Sequence, residues 1–182
     1  GMVTNDINGL QVGASSYAAV LTAKGAMVGD VRVLKNENDL LVETEAERSA
    51  GIRAHLLRFL ISEDAEFVDA PEVTAMGLIG SLAREVFEKR AFSEKFQPIL
   101  SLLGALEFLV PTADFDRIRL TLDDVVQLSP EVLEVIRVER GVPQFGRDMT
   151  ESTIPLEANL HHAIHMQKGC YIGQEVIARA TY

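Results

Sequence analysis

The chain has 182 residues, with 17 Lys and Arg against 27 Asp and Glu (a formal net charge of −10), and is 47% hydrophobic and 24% charged. This is the composition of a folded globular protein with a core of its own, and its acidity argues against broad attraction to nucleic acid or anionic membrane. One cysteine excludes an internal disulfide, no apolar run approaches the roughly 20 residues of a membrane span, and the opening residues lack the basic start and apolar core of a signal peptide. The expected setting is therefore bacterial cytoplasm or an organelle matrix rather than secretion.

The first third reads as strands. Residues 16–22 and 27–34 are apolar, β-branched runs joined by Ala23-Lys24-Gly25, a short hairpin loop. Asn36-Glu37-Asn38-Asp39 makes a second turn, and 40–43 continues the meander. Thr44-Glu45-Ala46-Glu47 fits a capping box, and Ile52, Leu56, Phe59 and Leu60 recur at helical spacing, which predicts a helix from Thr44 that stops at Ser62-Glu63-Asp64. Glu66-Phe67-Val68 predicts a strand, and Ala70-Pro71 a boundary between units. Beyond it, 72–79 reads as a strand, followed by a helix to about Arg90 with Ser81 as its cap. Residues 91–102 have mixed character, and 105–110 reads as a strand. Pro111-Thr112 initiates a helix running on from Ala113. Pro130 opens a helix over 130–140 that Gly141-Val142-Pro143 ends. Strand-rich stretches broken by single helices predict an α+β fold.

The chemistry concentrates near the end. Lys168, Gly169, Cys170, Tyr171, Ile172, Gly173, Gln174 and Glu175 set the lone thiol among a lysine, two glycines and a carboxylate. Lys168 can favour a thiolate, and a helix starting near Gly173 would add its exposed N–H groups. Equally, Cys170 can be a small buried hydrophobe with glycines shaping the turn around it. His161, His162 and His165 lie just before it. Together with Cys170 they have the donor types of a zinc set, but their spacing matches no standard metal motif, and no metal is expected. His165 with Cys170 is a second candidate, a nucleophile and its base, without an evident third group to orient them. No phosphate-binding loop follows a strand. Glu139, in Arg137-Val138-Glu139-Arg140-Gly141, reads either as a solvated salt-bridging group or as a carboxylate able to grip paired N–H donors of a heterocycle.

These residues resemble a known family. Segment 168–175, KGCYIGQE, is similar to the KGCYxGQE signature of the YgfZ-type folate-binding proteins, relatives of the glycine-cleavage T-protein. The opening GMVTND resembles the family's QGMVTND. YAAVLTAKG from Tyr17 resembles its YALLLTPKG hairpin, and RVERGVPQFGRDM from Arg137 its RIEAGIPRFGVDM, which Ile154-Pro155-Leu156-Glu157-Ala158 continues. The blocks fall in the family's order and span nearly the whole chain.

The resemblance implies two ferredoxin-like units of the T-protein-like fold. One comprises residues 1–70 with 150–182 and carries the KGCYxGQE motif. The other, 71–149, carries the RxExG helix. It also implies that the chain is a fragment, because family members have a segment before this start and a C-terminal barrel domain after this end. The implied cofactor is tetrahydrofolate or a derivative, with Glu139 as the pterin carboxylate, Tyr17 as an aromatic near the folate and Arg137 as a further contact. In the family's GGxxDD hairpin, Asp30 matches the second Asp, while Gly29 replaces the first, which drives aminomethyl transfer. The expectation is folate binding without that transfer, leaving Cys170 as a redox or one-carbon-reactive thiol beside Lys168 and Asp30 as a second catalytic candidate. The implied function is support of iron–sulfur cluster assembly or repair and, indirectly, of tRNA modification. The implied partners are cluster carriers or clients, with no direct nucleic-acid contact and no membrane. Two alternatives stay open: a folate-dependent aminomethyltransferase using Asp30, and a non-catalytic module that docks on cluster carriers.

Overall fold

Alternation along three strands builds the first sheet. In the computed structural model, which describes residues 1–61 and 64–181, β1 (Ser15–Leu21), β2 (Met27–Lys35) and β3 (Leu40–Glu43) pair antiparallel in the order β1-β2-β3. The hairpin loop closes as its residues predict. The Thr22 N–H donates to the Ala26 carbonyl at 2.8 Å, and Gly25, at φ 78°, donates to Thr22 O at 2.9 Å. One face of the sheet, with Ala18, Val20, Val31 and Val33, packs on Ile52 and Leu56 of α1 (Ala46–Leu57). The other, with Ala19, Leu21 and Met27, packs on Phe145, Met149, Leu160 and Ile177 from the far end of the chain. Ile177 sits on α5 (Gln174–Thr181). Both faces are thus buried, and the second cover comes from residues more than a hundred positions away.

The chain divides into two compact units, Gly1–Phe67 with Pro143–Tyr182, and Val68–Val142. Residues 143–149, expected with the second unit, belong to the first because Phe145 and Met149 are part of its core. In the second unit β4 (Val73–Leu78), β5 (Ile99–Leu100) and β6 (Leu106–Pro111) form an antiparallel sheet in the order β4-β6-β5. Phe108 of β6 is the hub of its core. Its ring lies 5.2 Å from Phe87, 5.3 Å from Phe92 and 5.5 Å from Phe96, centroid to centroid. Phe87 comes from α2 (Ala83–Lys89), and Ile118 of α3 (Phe115–Leu120) joins the same cluster. The last helix of this unit, α4 (Pro130–Glu139), starts as its sequence predicts: the Ser129 hydroxyl accepts from the Val132 N–H at 3.4 Å and Pro130 fills the first turn. Two sheets with helices packed on them make the expected α+β class.

Several local expectations give way to tertiary contacts. Thr44 does not cap α1. The residue at the cap is Glu45, which makes no side-chain capping bond, and the Thr44 hydroxyl donates instead to the Asp30 carbonyl at 2.9 Å. α1 ends at Leu57, ahead of the expected stop, of which Ser62 and Glu63 lie outside the described residues. Ser81 does not cap α2, which begins after Leu82 without a side-chain cap. Residues 66–68 form no strand. The Phe67 carbonyl takes a bond from Arg53 at 2.7 Å and its ring packs on the first unit's core, so the backbone finds its partner outside a ladder. Among the described residues, no helix is long and apolar enough to cross a membrane.

Candidate functional site

The register of the first hairpin sets the site. Tyr17 lies opposite Arg32 and Ala19 opposite Asp30, which makes Tyr17 and Asp30 diagonal neighbours on one face of the sheet. The Tyr17 hydroxyl donates to Asp30 Oδ2 at 2.5 Å. Burial raises the Asp30 carboxyl above its ordinary value, and the Tyr17 bond offsets this in part. Burial, and then the charge and bond of Asp30, push the Tyr17 phenol far above its usual range. The proton of the pair therefore stays on Tyr17, with Asp30 as acceptor. Arg32 and Glu43, cross-strand partners on the same sheet, form an ion pair with Arg32 Nε 2.9 Å from Glu43 Oε2.

The chain start and the segment around 161–168 close over this face. Thr4 is fully buried. Its N–H donates to Ala19 O at 3.1 Å, its hydroxyl accepts from the Ala19 N–H at 2.8 Å and donates to Ala163 O at 2.6 Å. Asn5 Nδ2 donates both to Tyr17 O at 2.9 Å and to His162 O at 3.0 Å. The His162 ring stacks on Tyr17, with centroids 5.4 Å apart and planes 22° from parallel. Burial, then the charge of His161, lowers the His162 imidazole below its ordinary value, which keeps the ring neutral at pH 7.

Lys168 is engaged with the chain start. Its ammonium donates to Val3 O and Asn5 O, both at 2.7 Å, and sits 5.4 Å from the centre of the Tyr171 ring. Burial lowers its ammonium, and Asp6 works the other way. The thiolate-favouring contact expected from its place beside Cys170 gives way to these backbone bonds. Cys170 itself is exposed, so it is not the small buried hydrophobe its neighbours also allowed. The other motif residues divide by role. Gly173, at φ 80°, lies so close to the β1–β2 loop that an added Cβ would stand 2.6 Å from Thr22 O and 3.0 Å from Gly25 Cα. Tyr171 is buried in the core, and its carbonyl accepts from the Gln174 N–H at 3.2 Å. Glu175 pairs with Arg179 on the exposed side of α5 at 2.5 Å, and Gly169 faces open space. His165 Nδ1 accepts from the Gln167 N–H at 3.3 Å. Among the described residues, no group of His, Cys, Asp and Glu is arranged to hold a metal.

Position 29 lies on the opposite face of the hairpin from Asp30. A Cβ on Gly29 would stand 2.7 Å from Ile52 Cδ1, inside the α1-packed core. In this chain a side chain at 29 points away from Tyr17, and the position that faces it is 30. The glycine therefore removes nothing from the polar face.

In the second unit, Arg137 is buried and grips Glu134 in bidentate fashion, both bonds at 2.8 Å, while Nη1 donates to Val142 O at 2.5 Å. Its guanidinium fastens the end of α4. Glu139, on the last turn of α4, is exposed. The first unit thus brings together Tyr17, Asp30, His162 and the Lys168 anchor, and the second unit separately presents Glu139. His162 on Tyr17 had no local signal in the sequence, because the two residues are 145 positions apart and the histidines read there as ordinary surface or core residues or as metal or base candidates.

No family model matches the chain. It is 26% identical to an aminomethyltransferase of Rubrobacter xylanophilus, over 98% of this chain and 54% of the relative. It is 25% identical to the iron-sulfur cluster assembly factor IBA57 homolog, mitochondrial, of Neurospora crassa, over 100% of this chain and 45% of the relative. The tRNA-modifying protein YgfZ of Yersinia pseudotuberculosis is 24% identical, over 100% of this chain and 60% of that protein. The crystal structure of glycine cleavage system aminomethyltransferase T from Bartonella henselae superposes with a TM-score of 0.83 at 19% identity, over 99% of this chain and 56% of that one. The chain spans about half the length of the curated relatives it matches. The chain is thus similar to aminomethyltransferases, to a cluster assembly factor and to YgfZ, and it has the T-protein fold.

Proposed function

We propose that this chain is the folate-handling portion of a protein that supports iron–sulfur cluster assembly or repair and, indirectly, tRNA modification. The names of two relatives, a cluster assembly factor and a tRNA-modifying protein, support that setting. The observation that carries the folate reading is the Tyr17–Asp30 pair: an aromatic ring held against a carboxylate on one sheet face. A flat heterocycle with N–H donors is recognised by such a combination, and tetrahydrofolate has that chemistry. In the second unit, Glu139 is exposed at the end of α4 as a carboxylate able to take paired N–H donors, and Arg137 steadies it by anchoring the helix end to Val142. Bound folate would supply a one-carbon unit on a ring amine. Cys170, exposed and without a disulfide partner, is the thiol available to a redox or one-carbon step. Partners would be cluster carriers or clients, in bacterial cytoplasm or an organelle matrix, and an acidic chain fits an indirect link to tRNA better than direct binding.

Calorimetric titration of tetrahydrofolate into the native chain and into Glu139→Gln and Asp30→Asn tests the site. Each variant should bind at least about tenfold more weakly, the scale of one lost charge-assisted hydrogen bond. Equal affinity in all three would sink it. One observation favours a second reading, folate-dependent aminomethyl transfer: Asp30 faces Tyr17 on the polar side of the sheet and is a carboxylate that such chemistry could use. A turnover assay with an aminomethyl-lipoyl carrier decides between them, and product that disappears in Asp30→Asn would establish the second.

A further inference from the structure

Tyr17 has two rotatable side-chain bonds, and the bond to Asp30 by itself does little to hold a half-buried phenol at one angle. The structure supplies a second constraint. The His162 ring covers Tyr17 nearly face to face, and its own backbone is tied down from both sides. Asn5 holds the His162 carbonyl with the same amide group that holds the Tyr17 carbonyl. Thr4 holds the Ala163 carbonyl, and the His165 N–H donates to Thr4 O at 3.1 Å. The stack is thus imposed by the chain start, which ties strand and loop into one piece. We propose that His162 is a positioning residue: its ring fixes the angle of Tyr17 so that the phenol stays on the Asp30 carboxylate. The inference rests on the reading of Tyr17 and Asp30 as the ligand-facing pair, and it adds the residue that sets their geometry before any ligand arrives.

Other titratable groups near the pair are His161 beside His162, the Arg32–Glu43 ion pair on the same sheet, and Lys168 with Asp6 at the chain start. None of them covers Tyr17 as His162 does. A merely shielding ring and a positioning ring also predict opposite effects. Shielding keeps water from Asp30, so its loss would let the carboxyl titrate lower. Positioning keeps the Tyr17 donor in place, so its loss would let the carboxyl titrate higher.

The test follows the Asp30 carboxyl by carbon NMR across acid pH in the ligand-free chain. His162→Ala should raise the Asp30 midpoint by about half to one pH unit, a roughly three- to tenfold change in proton affinity, as Tyr17→Phe should. His162→Phe, which keeps a flat ring, should leave the midpoint within about 0.2 unit of native. In the Tyr17→Phe background, His162→Ala should add nothing. His162→Leu, which keeps bulk without a flat ring, should shift the midpoint upward as well, and it stands in if the alanine variant does not fold. A midpoint that falls or stays put in His162→Ala and His162→Leu overturns the proposal, as does His162→Phe behaving like the alanine variant. Because no folate is present, failure here leaves the folate reading standing, and failure of folate to bind leaves this result standing.

Discussion

Asp30 carries a charge that its surroundings disfavour, and that has a consequence for stability. Its folded carboxyl titrates above the value of about 3.9 expected in the unfolded chain. The native state therefore holds the proton more tightly. This contribution is complete below the unfolded value and is lost as pH rises through the folded one. Asp30→Asn keeps an acceptor for the Tyr17 hydroxyl without the charge. In urea melts it should be more stable than the native chain at pH 7, and the gain should vanish near pH 3, about a unit below the unfolded carboxyl value. Gly29→Asp should do the opposite: with Ile52 Cδ1 2.7 Å from the new Cβ, it puts a charge into the α1 packing and should cost about 2–4 kcal/mol by the same measurement. The residue types of the site were legible in the sequence, since Tyr17, Asp30 and Glu139 stand in recognisable blocks. Their contacts were not. Which of 29 and 30 faces Tyr17 depends on strand register, and a one-residue slip would exchange the two faces.

At the scale of elements, local signals held where nothing remote competed for the same group. Ser129 and Pro130 start α4 because the Ser129 hydroxyl keeps its partners within the first turn, the Val132 N–H and the Glu131 carboxylate, whereas Thr44, with an equally good sequence signature, gives its hydroxyl to Asp30 O. Ser129→Ala should accordingly destabilise α4 by about 1 kcal/mol, read as faster hydrogen exchange at the amides of 131–133. The hairpin of β1 and β2 was legible for a similar reason, since alternation and a glycine turn specify it locally. The strand expected at 66–68 was not recoverable from pattern alone. An arginine from α1 takes the Phe67 carbonyl, and only the folded chain brings the two together.

Over the whole molecule, residues at opposite ends of the sequence hold each other. Thr4 bonds Ala19 and Ala163, Lys168 bonds Val3 and Asn5, and the Gly1 carbonyl accepts from the Ile172 N–H at 3.1 Å. Thr4→Val removes the hydroxyl and leaves a buried N–H and a buried carbonyl without that partner, so it should cost about 1–3 kcal/mol in urea melts. It should also loosen the 161–168 segment, with faster exchange at the His165 amide. The sequence blocks at the two ends told of kinship, but their physical reason is this mutual anchoring, which only three dimensions reveal.

The same long-range closure sets an order of events during synthesis. Residues 68–142 are a continuous stretch with a phenylalanine core of their own, while the first unit must wait for Phe145, Met149, Leu160 and Ile177. At 5–20 residues per second, about 5 to 20 s pass between the emergence of Phe67 and that of Ile177. For that interval the first hairpin has Ala19, Leu21 and Met27 uncovered, so the part of the chain made first is the part finished last, and the stack of His162 on Tyr17 belongs to its closing step.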